Sequence, residues 1–177
     1  MSLIDVFPEQ QADAADIERL LDDAFGADRL AKISYSYRRG VERLWPLCLT
    51  LRRPSGLVGT IRAWPIAIGS APTPAILIGP VAIDAALRDH GFGGRLIGEV
   101  VSRARGAGYA IGVLVGDAAY YGRFGFVPAA TWHLTMPREN PARVLGLRLD
   151  ETVPVEPGDL MPFRSGRANP RDRSAMG

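Results

Sequence analysis

The chain is nearly without lysine, cysteine and histidine: Lys32 is the sole lysine, Cys48 the sole cysteine, and His90 and His133 are the two histidines among 177 residues. A single thiol excludes an internal disulfide framework. In its apolar stretch Cys48 reads as a small core residue rather than a nucleophile. Lone histidines without a second His, Cys or paired carboxylate make a poor metal site, so no metal is expected, and they support no Ser-His-Asp arrangement. No run approaches the roughly 18 apolar residues of a membrane span. The opening MSLIDVFPEQQ lacks the basic and apolar regions of a secretory signal. The expected location is therefore the cytoplasm, with no membrane partner. Positive charge rests on arginine, and the formal net charge is only +2, which gives no surplus pointing to nucleic acid.

Hydrophobic content of 47% and charged content of 23% are those of an ordinary globular domain. The length suits one domain with a substantial core, expected over residues 1–163. Residues 164–177 gather Arg164, Arg167, Arg171 and Arg173 with Ser, Gly, Asn and Pro, the composition of a flexible tail. Leu3 to Phe7 reads as a short edge strand. Ile17, Leu20, Leu21, Ala24 and Phe25 make a helical stripe that Gly26 ends. Arg29 to Tyr37 reads as a weaker helix, in which Tyr35 and Tyr37 cannot share a face closely. Leu44–Leu51 and Leu57–Ile68 flank the turn Arg53-Pro54-Ser55-Gly56 and predict an antiparallel hairpin. Ala75–Ile83 is a third strand, broken by Gly79-Pro80.

The chain is organised around Ala75 to Arg95. An apolar strand there crosses a short polar loop into Arg88-Asp89-His90-Gly91-Phe92-Gly93-Gly94, which opens a helix whose buried stripe is Leu96, Ile97, Val100, Val101 and Ala104. Glycines at a helix N-terminus admit an anion to unpaired N–H groups at the positive end of the helix dipole. The P-loop pattern fails, because Gly94-Arg95-Leu96 stands where Lys-Ser/Thr is needed. The dinucleotide pattern fails in glycine register. Ile111–Val115 is a short strand apolar on both faces. Strand, helix and strand imply a right-handed crossover that makes Ala75–Ile83 and Ile111–Val115 parallel neighbours. Proline removes a ladder N–H and glycine permits a bulge, so the Gly79-Pro80 break is expected to splay the two strands and open a slot. Val127–Met136, Arg143–Leu149 and Leu160–Arg164 read as further strands.

Arg88-x-x-Gly91-x-Gly93 resembles the coenzyme signature of the GNAT superfamily of acyl-CoA-dependent N-acyltransferases. Asp117-Ala118-Ala119-Tyr120-Tyr121-Gly122-Arg123-Phe124-Gly125-Phe126 is similar to that family's second signature. Tyr121 takes the place of its tyrosine and Gly125-Phe126 match its ending, while Gly122 replaces a frequent acidic residue and Tyr120 a leucine. The resemblance spans about Asp13 to Phe126 and is densest from Ile76 onward. It implies an α/β (mixed α+β) fold: a mostly antiparallel central sheet flanked by helices, with one parallel, splayed strand pair.

The resemblance further implies acetyl-CoA as co-substrate and a small-molecule or peptide amine as acceptor. Arg88, Asp89, His90, Gly91, Phe92, Gly93 and Gly94 would hold the pyrophosphate, the His90 ring being incidental. Val81, Ala82 and Ile83 would pair with the pantetheine arm. Val81 or Ile83 N–H would meet the thioester oxygen, and Tyr121 would bind the coenzyme and protonate the departing thiolate as general acid. Many relatives carry a carboxylate base on the strand equivalent to Ala75–Ile83, which has none. Asp84, Asp117, Glu42 or a water chain can serve, and the residues alone name no base. Trp132 and His133 are candidates for the acceptor wall, with a half-buried core histidine the competing reading. A catalytically silent acyl-CoA-binding sensor is the alternative function. The C-terminal strands offer a means of completing a homodimer sheet.

Overall fold

The computed structural model describes residues 3–164. The Arg-rich tail from residue 165 onward lies outside the described residues. Strand β1 (Asp5–Pro8) leads into helix α1 (Ala14–Phe25) and the four-residue helix α2 (Ile33–Ser36). The strands β2 (Leu49–Arg53), β3 (Gly56–Ile68) and β4 (Ala71–Ile83) follow, then helix α3 (Phe92–Gly106) and strand β5 (Ile111–Val115). Helix α4 (Ala118–Tyr121) precedes β6 (Val127–Pro128), β7 (Leu134–Thr135), β8 (Val144–Arg148) and β9 (Gly158–Pro162). The sheet order is β1-β2-β3-β4-β5-β8-β6, with β9 beyond β2 on the same edge of β3 and β7 beside β9.

The sheet is mixed and mostly antiparallel, as expected. Its long parallel pair is β4 and β5, joined through α3, and a two-residue parallel contact links β7 to β9. The predicted hairpin is present, with Arg53 opposite Gly56 and Gly56 at φ +135°. Helix α1 buries Ile17 and Leu21 and stops at Gly26, whose φ is +81°. Helix α3 buries Leu96, Ile97, Val100, Val101 and Ala104, the stripe read from the sequence. They pack with Leu49, Ile61, Ile76 and Ile78 on one face of the sheet. The opposite face is covered by α1 against Ala82 and by Tyr37, Leu134, Met136 and Leu160 against Leu77 and Val113.

Three expected elements take other forms. The predicted helix over Arg29–Tyr37 is a 3-10 turn at Ala27–Ala31 followed by α2. Arg29 is buried there and ion-paired to Glu18 and Asp22 of α1, which ties the segment to its neighbour. The first hairpin strand begins at Leu49 rather than Leu44, because Trp45-Pro46-Leu47 forms a 3-10 turn and Pro46 has no N–H for a ladder. The expected strand Val127–Met136 is split into β6 and β7 by a 3-10 turn at Ala129–Trp132. Trp132 fits over Gly146 of β8, where an added Cβ would lie 2.8 Å from the indole. The last strand, β9, pairs with β3 through Ile66–Ile68. The Tyr37 hydroxyl fastens it by donating to the Leu160 carbonyl at 2.9 Å.

Beneath α1 lies a buried ionic network. Arg62 of β3 donates from Nε to Glu9 Oε2 at 2.9 Å and from Nη2 to Glu9 Oε1 at 2.8 Å. It also reaches Glu18 at 2.8 Å. The Glu9 side chain has 0% exposure, so removing its main partner leaves a buried carboxylate with only Arg43 beside it. Arg62→Met is expected to cost about 3 kcal/mol in urea denaturation. Arg19→Met removes an exposed pair with Asp16 and is expected to cost about 0.5 kcal/mol or less.

Candidate active site

The site begins at the break in β4. Ile61 pairs with Val81 and Ala63 with Ile78, which leaves Gly79 and Pro80 together opposite Arg62. Gly79 holds φ +116°, a conformation suited to glycine. One extra residue reverses the side-chain alternation of a strand, and the packing records the reversal. Ile76 and Ile78 face α3 before the bulge, and Val81 and Ile83 face it afterwards, while Ala82 turns to α1.

Pairing between β4 and β5 runs from Ala75 with Ile111 to Leu77 with Val113 and ends there, just ahead of the bulge. Beyond that point the strands part, and a cleft of about 510 Å³ opens between Gly79–Val81 and Leu114–Asp117. The backbone on this side is oriented by its neighbour. Asp84 N–H donates to Val58 O of β3 at 2.8 Å. Alternation along the strand then directs the Ala82 N–H toward β3 as well, and the Val81 and Ile83 N–H groups toward the slot. Of the three predicted backbone contacts, Ala82 therefore presents its amide to the sheet.

The glycine turn stands at the C-terminal end of β4, as expected. Asp84 caps a 3-10 turn at Ala85–Leu87 by accepting from Ala86 N–H at 2.9 Å. Asp89 at φ +64° and Gly91 at φ +79° then bring the chain into α3. Gly91 is the N-cap, and no side chain caps the helix, so the first-turn N–H groups have no acceptor within it. Arg88, Asp89, His90 and Gly91 are exposed, and Phe92, Gly93 and Gly94 are half-buried. The His90 ring bonds within the loop, Nδ1 lying 2.6 Å from Arg88 O.

The glycines of this turn have separate reasons. Gly91 needs its positive φ and has open space around it. Gly93 and Gly94 instead make room for aromatic side chains. A Cβ on Gly93 would lie 2.6 Å from Tyr120 Oη, and one on Gly94 would lie 2.8 Å from Phe124 Cε1. The two signatures read separately in the sequence are thus one packed unit.

Tyr121 lines the cleft at the end of α4, which Asp117 caps by accepting from Ala119 N–H at 2.8 Å. Its ring lies against Gly116, where an added Cβ would come within 2.3 Å of Cε2. Tyr120 meets it edge-on at 4.9 Å between ring centroids. Burial pushes the Tyr121 phenol up to about 12, Tyr120 adds to the rise, and Arg143 opposes it. The phenol therefore keeps its proton throughout the neutral range.

Asp117 and Glu139 are the carboxylates on the cleft wall among the described residues. Asp84 and Glu42, the other candidates for a base, lie outside the cleft lining. Trp132 and His133 do not line it either, and His133 is exposed at φ +55° rather than held in the core. Tyr35 is the tyrosine of its pair that reaches the cleft, while Tyr37 is buried. Sequence reasoning missed Arg38, Glu139 and Arg143 on the cleft wall. None belongs to a motif, and each is brought in by a loop from another part of the chain. Arg38 is held between the rings of Tyr35 and Trp64, at 4.2 and 5.0 Å from their centroids. Burial lowers its guanidinium to about 10, which still leaves it charged at neutral pH.

No family model matches the chain. Over 119 residues, 67% of this chain and 70% of the relative, it is 30% identical to the uncharacterized N-acetyltransferase YhbS of Escherichia coli K12. The crystal structure of that GNAT family N-acetyltransferase in complex with CoA matches with a TM-score of 0.77 at 26% identity, covering 92% of this chain and 89% of the other. A GNAT family acetyltransferase from Brucella melitensis in complex with acetyl-CoA matches with a TM-score of 0.69 at 26% identity, covering 93% and 98%. With that relative in sequence and those structures sharing the mixed sheet and its parallel pair, the chain belongs to the GNAT family of N-acetyltransferases.

Proposed function

We propose that this protein transfers the acetyl group of acetyl-CoA to a primary amine by direct attack on the thioester. The observation that carries the reading is the slot between β4 and β5. It has outward-facing amides on one wall and a protonated phenol on the other, and the capless N-terminus of α3 lies beyond the end of β4. The CoA and acetyl-CoA complexes of the two similar structures support the choice of coenzyme.

In this reading Arg88 and the Asp89–Gly94 backbone hold the pyrophosphate, and binding energy far from the reacting carbon orients the thioester. The pantetheine arm lies in the slot as a surrogate strand against β4. Val81 or Ile83 N–H donates to the carbonyl oxygen as it becomes negative. The amine nitrogen bonds to the thioester carbon, the carbon–sulfur bond breaks, and the thiolate takes the Tyr121 proton. The proton lost by the amine restores the phenol. Asp117 and Glu139, on the same wall, can carry that proton directly or through water. A phenol at about 12 is a weak acid against a thiol at about 8.5. Tyr121 therefore acts first as a hydrogen-bond donor to the developing thiolate, and its proton moves to sulfur only as the proton leaving the amine takes its place.

Calorimetric titration with acetyl-CoA beside CoA, ATP and NADH tests the assignment. Heat with the two CoA species alone is expected, and Arg88→Glu should weaken their binding about tenfold or more. Binding of ATP or NADH without CoA would overturn the acyltransferase reading, and unaltered affinity in Arg88→Glu would remove that residue from the coenzyme site.

Tyr121→Phe separates turnover from mere binding. Thiol release with an accepted amine should fall about 100-fold or more, with acetyl-CoA affinity within a few-fold of the wild type. An unchanged rate would show that Tyr121 is not the general acid.

A further inference from the structure

Arg38 has no task in the chemistry above, yet it is built into the cleft with care. The ionic network beneath α1 joins Glu9 to Arg62 and Arg43, Glu18 to Arg62 and Arg29, and Asp22 to Arg29. Each of those carboxylates is already engaged. Arg38 has Arg62 and Arg29 as positive neighbours and no ion-pair partner among the described residues. The assembly of Arg29, Arg38, Arg43 and Arg62 with Glu9, Glu18 and Asp22 is thus one carboxylate short.

Beyond a hydrogen bond to Tyr35, two nitrogens of the unpaired group are also unsatisfied. Arg38 Nε and Nη1 are shielded from solvent and have no acceptor, an expensive state for a charged donor. Tyr35 and Trp64 fix the plane of the guanidinium between their rings. An added Cβ on Gly79 would lie 3.6 Å from its Nη2, so the group sits against the bulge where β4 leaves β5. The remaining charged side chains on the cleft wall are Lys32, Arg143, Asp117 and Glu139, with Arg29 held by its own carboxylates. A guanidinium presents a planar fork of donors that matches a carboxylate.

We propose that Arg38 receives the carboxylate of the acyl acceptor, so that the amine accepted by this protein is one that carries a carboxylate, as an amino acid does. This inference rests on the acyltransferase reading. It adds the acceptor class, which neither signature motif specifies. The bound carboxylate supplies the missing negative charge of the network and leaves the amine beside the bulge, close to the amides that face the thioester.

Product-like ligands test it without knowledge of the acceptor side chain. Protein loaded with CoA is titrated with a panel of N-acetyl amino acids, each beside its primary amide, for wild type, Arg38→Met and Arg38→Lys. The wild type should favour the acids about 10- to 100-fold over the amides. Arg38→Met should erase the preference while binding CoA as the wild type does, and Arg38→Lys should keep a reduced part of it. Loaded wild-type protein that shows no preference for acid over amide anywhere in the panel overturns this inference and leaves the acyltransferase reading standing. Full retention of the preference by Arg38→Met overturns it in the same way. A fall in CoA affinity in both variants that matches any loss of acid binding also overturns it, by making Arg38 a coenzyme contact or a support of the fold. Protein that takes up no CoA in the loading step defeats the acyltransferase reading itself.

Discussion

The structure turns on the place where β4 carries one residue too many. Two backbone positions opposite Arg62 cannot both join the ladder, and Pro80 has no N–H to offer. The strand therefore changes phase. Side chains that faced α3 give way to others, and the pairing with β5 stops at Leu77 and Val113. A continuous parallel pair would have closed this space with hydrogen bonds. The interrupted pair leaves a cleft bounded by backbone amides on one side and the end of β5 on the other. The same bulge opens the slot, turns Val81 and Ile83 toward it, and brings Gly79 against Arg38.

A second constraint acts at the mouth of α3. Gly93 and Gly94 lack side chains where the Tyr120 hydroxyl and the Phe124 ring need to lie, and Gly116 does the same for the Tyr121 ring. The glycine turn is consequently positioned by the aromatic segment that follows β5. Phe126 is buried in the same cluster as Leu96, Val100 and Leu114, which anchors that segment to α3 and the sheet. The glycine turn and Tyr121 share a single packing arrangement, so the distance between them is held by core contacts rather than by loops.

The opposite side of the cleft is held by charge. Arg29, buried against α1 by Glu18 and Asp22, also donates to the Tyr35 hydroxyl at 3.1 Å. Tyr35 in turn stacks on Arg38. The order runs from a helix, through an ion pair and a tyrosine, to the arginine on the cleft wall. Burying these groups is tolerable because each carboxylate has a partner. The asymmetry of that network is what sets Arg38 apart.

Much of the fold was legible in the chain itself, because its cues are local. The α1 and α3 stripes, the Arg53–Gly56 turn, the apolar β5 and the Gly79-Pro80 interruption all depend on residues a few positions apart. The two signatures identified the family framework for the same reason. Val127–Met136 misled: its apolar content resembled a strand, but Trp132 had to reach Gly146 and the segment folded into a turn. Arg38, Glu139 and Arg143 carried no local mark at all. They meet across the cleft only after α1 has packed on β3 and β4 and β8 has paired with β5, contacts between residues far apart in the chain. By itself the sequence determined the periodic elements, the bulge and the motif residues, since steric and hydrogen-bonding rules act between near neighbours. Tertiary packing alone decided which charges face the cleft and which of them stays unpaired.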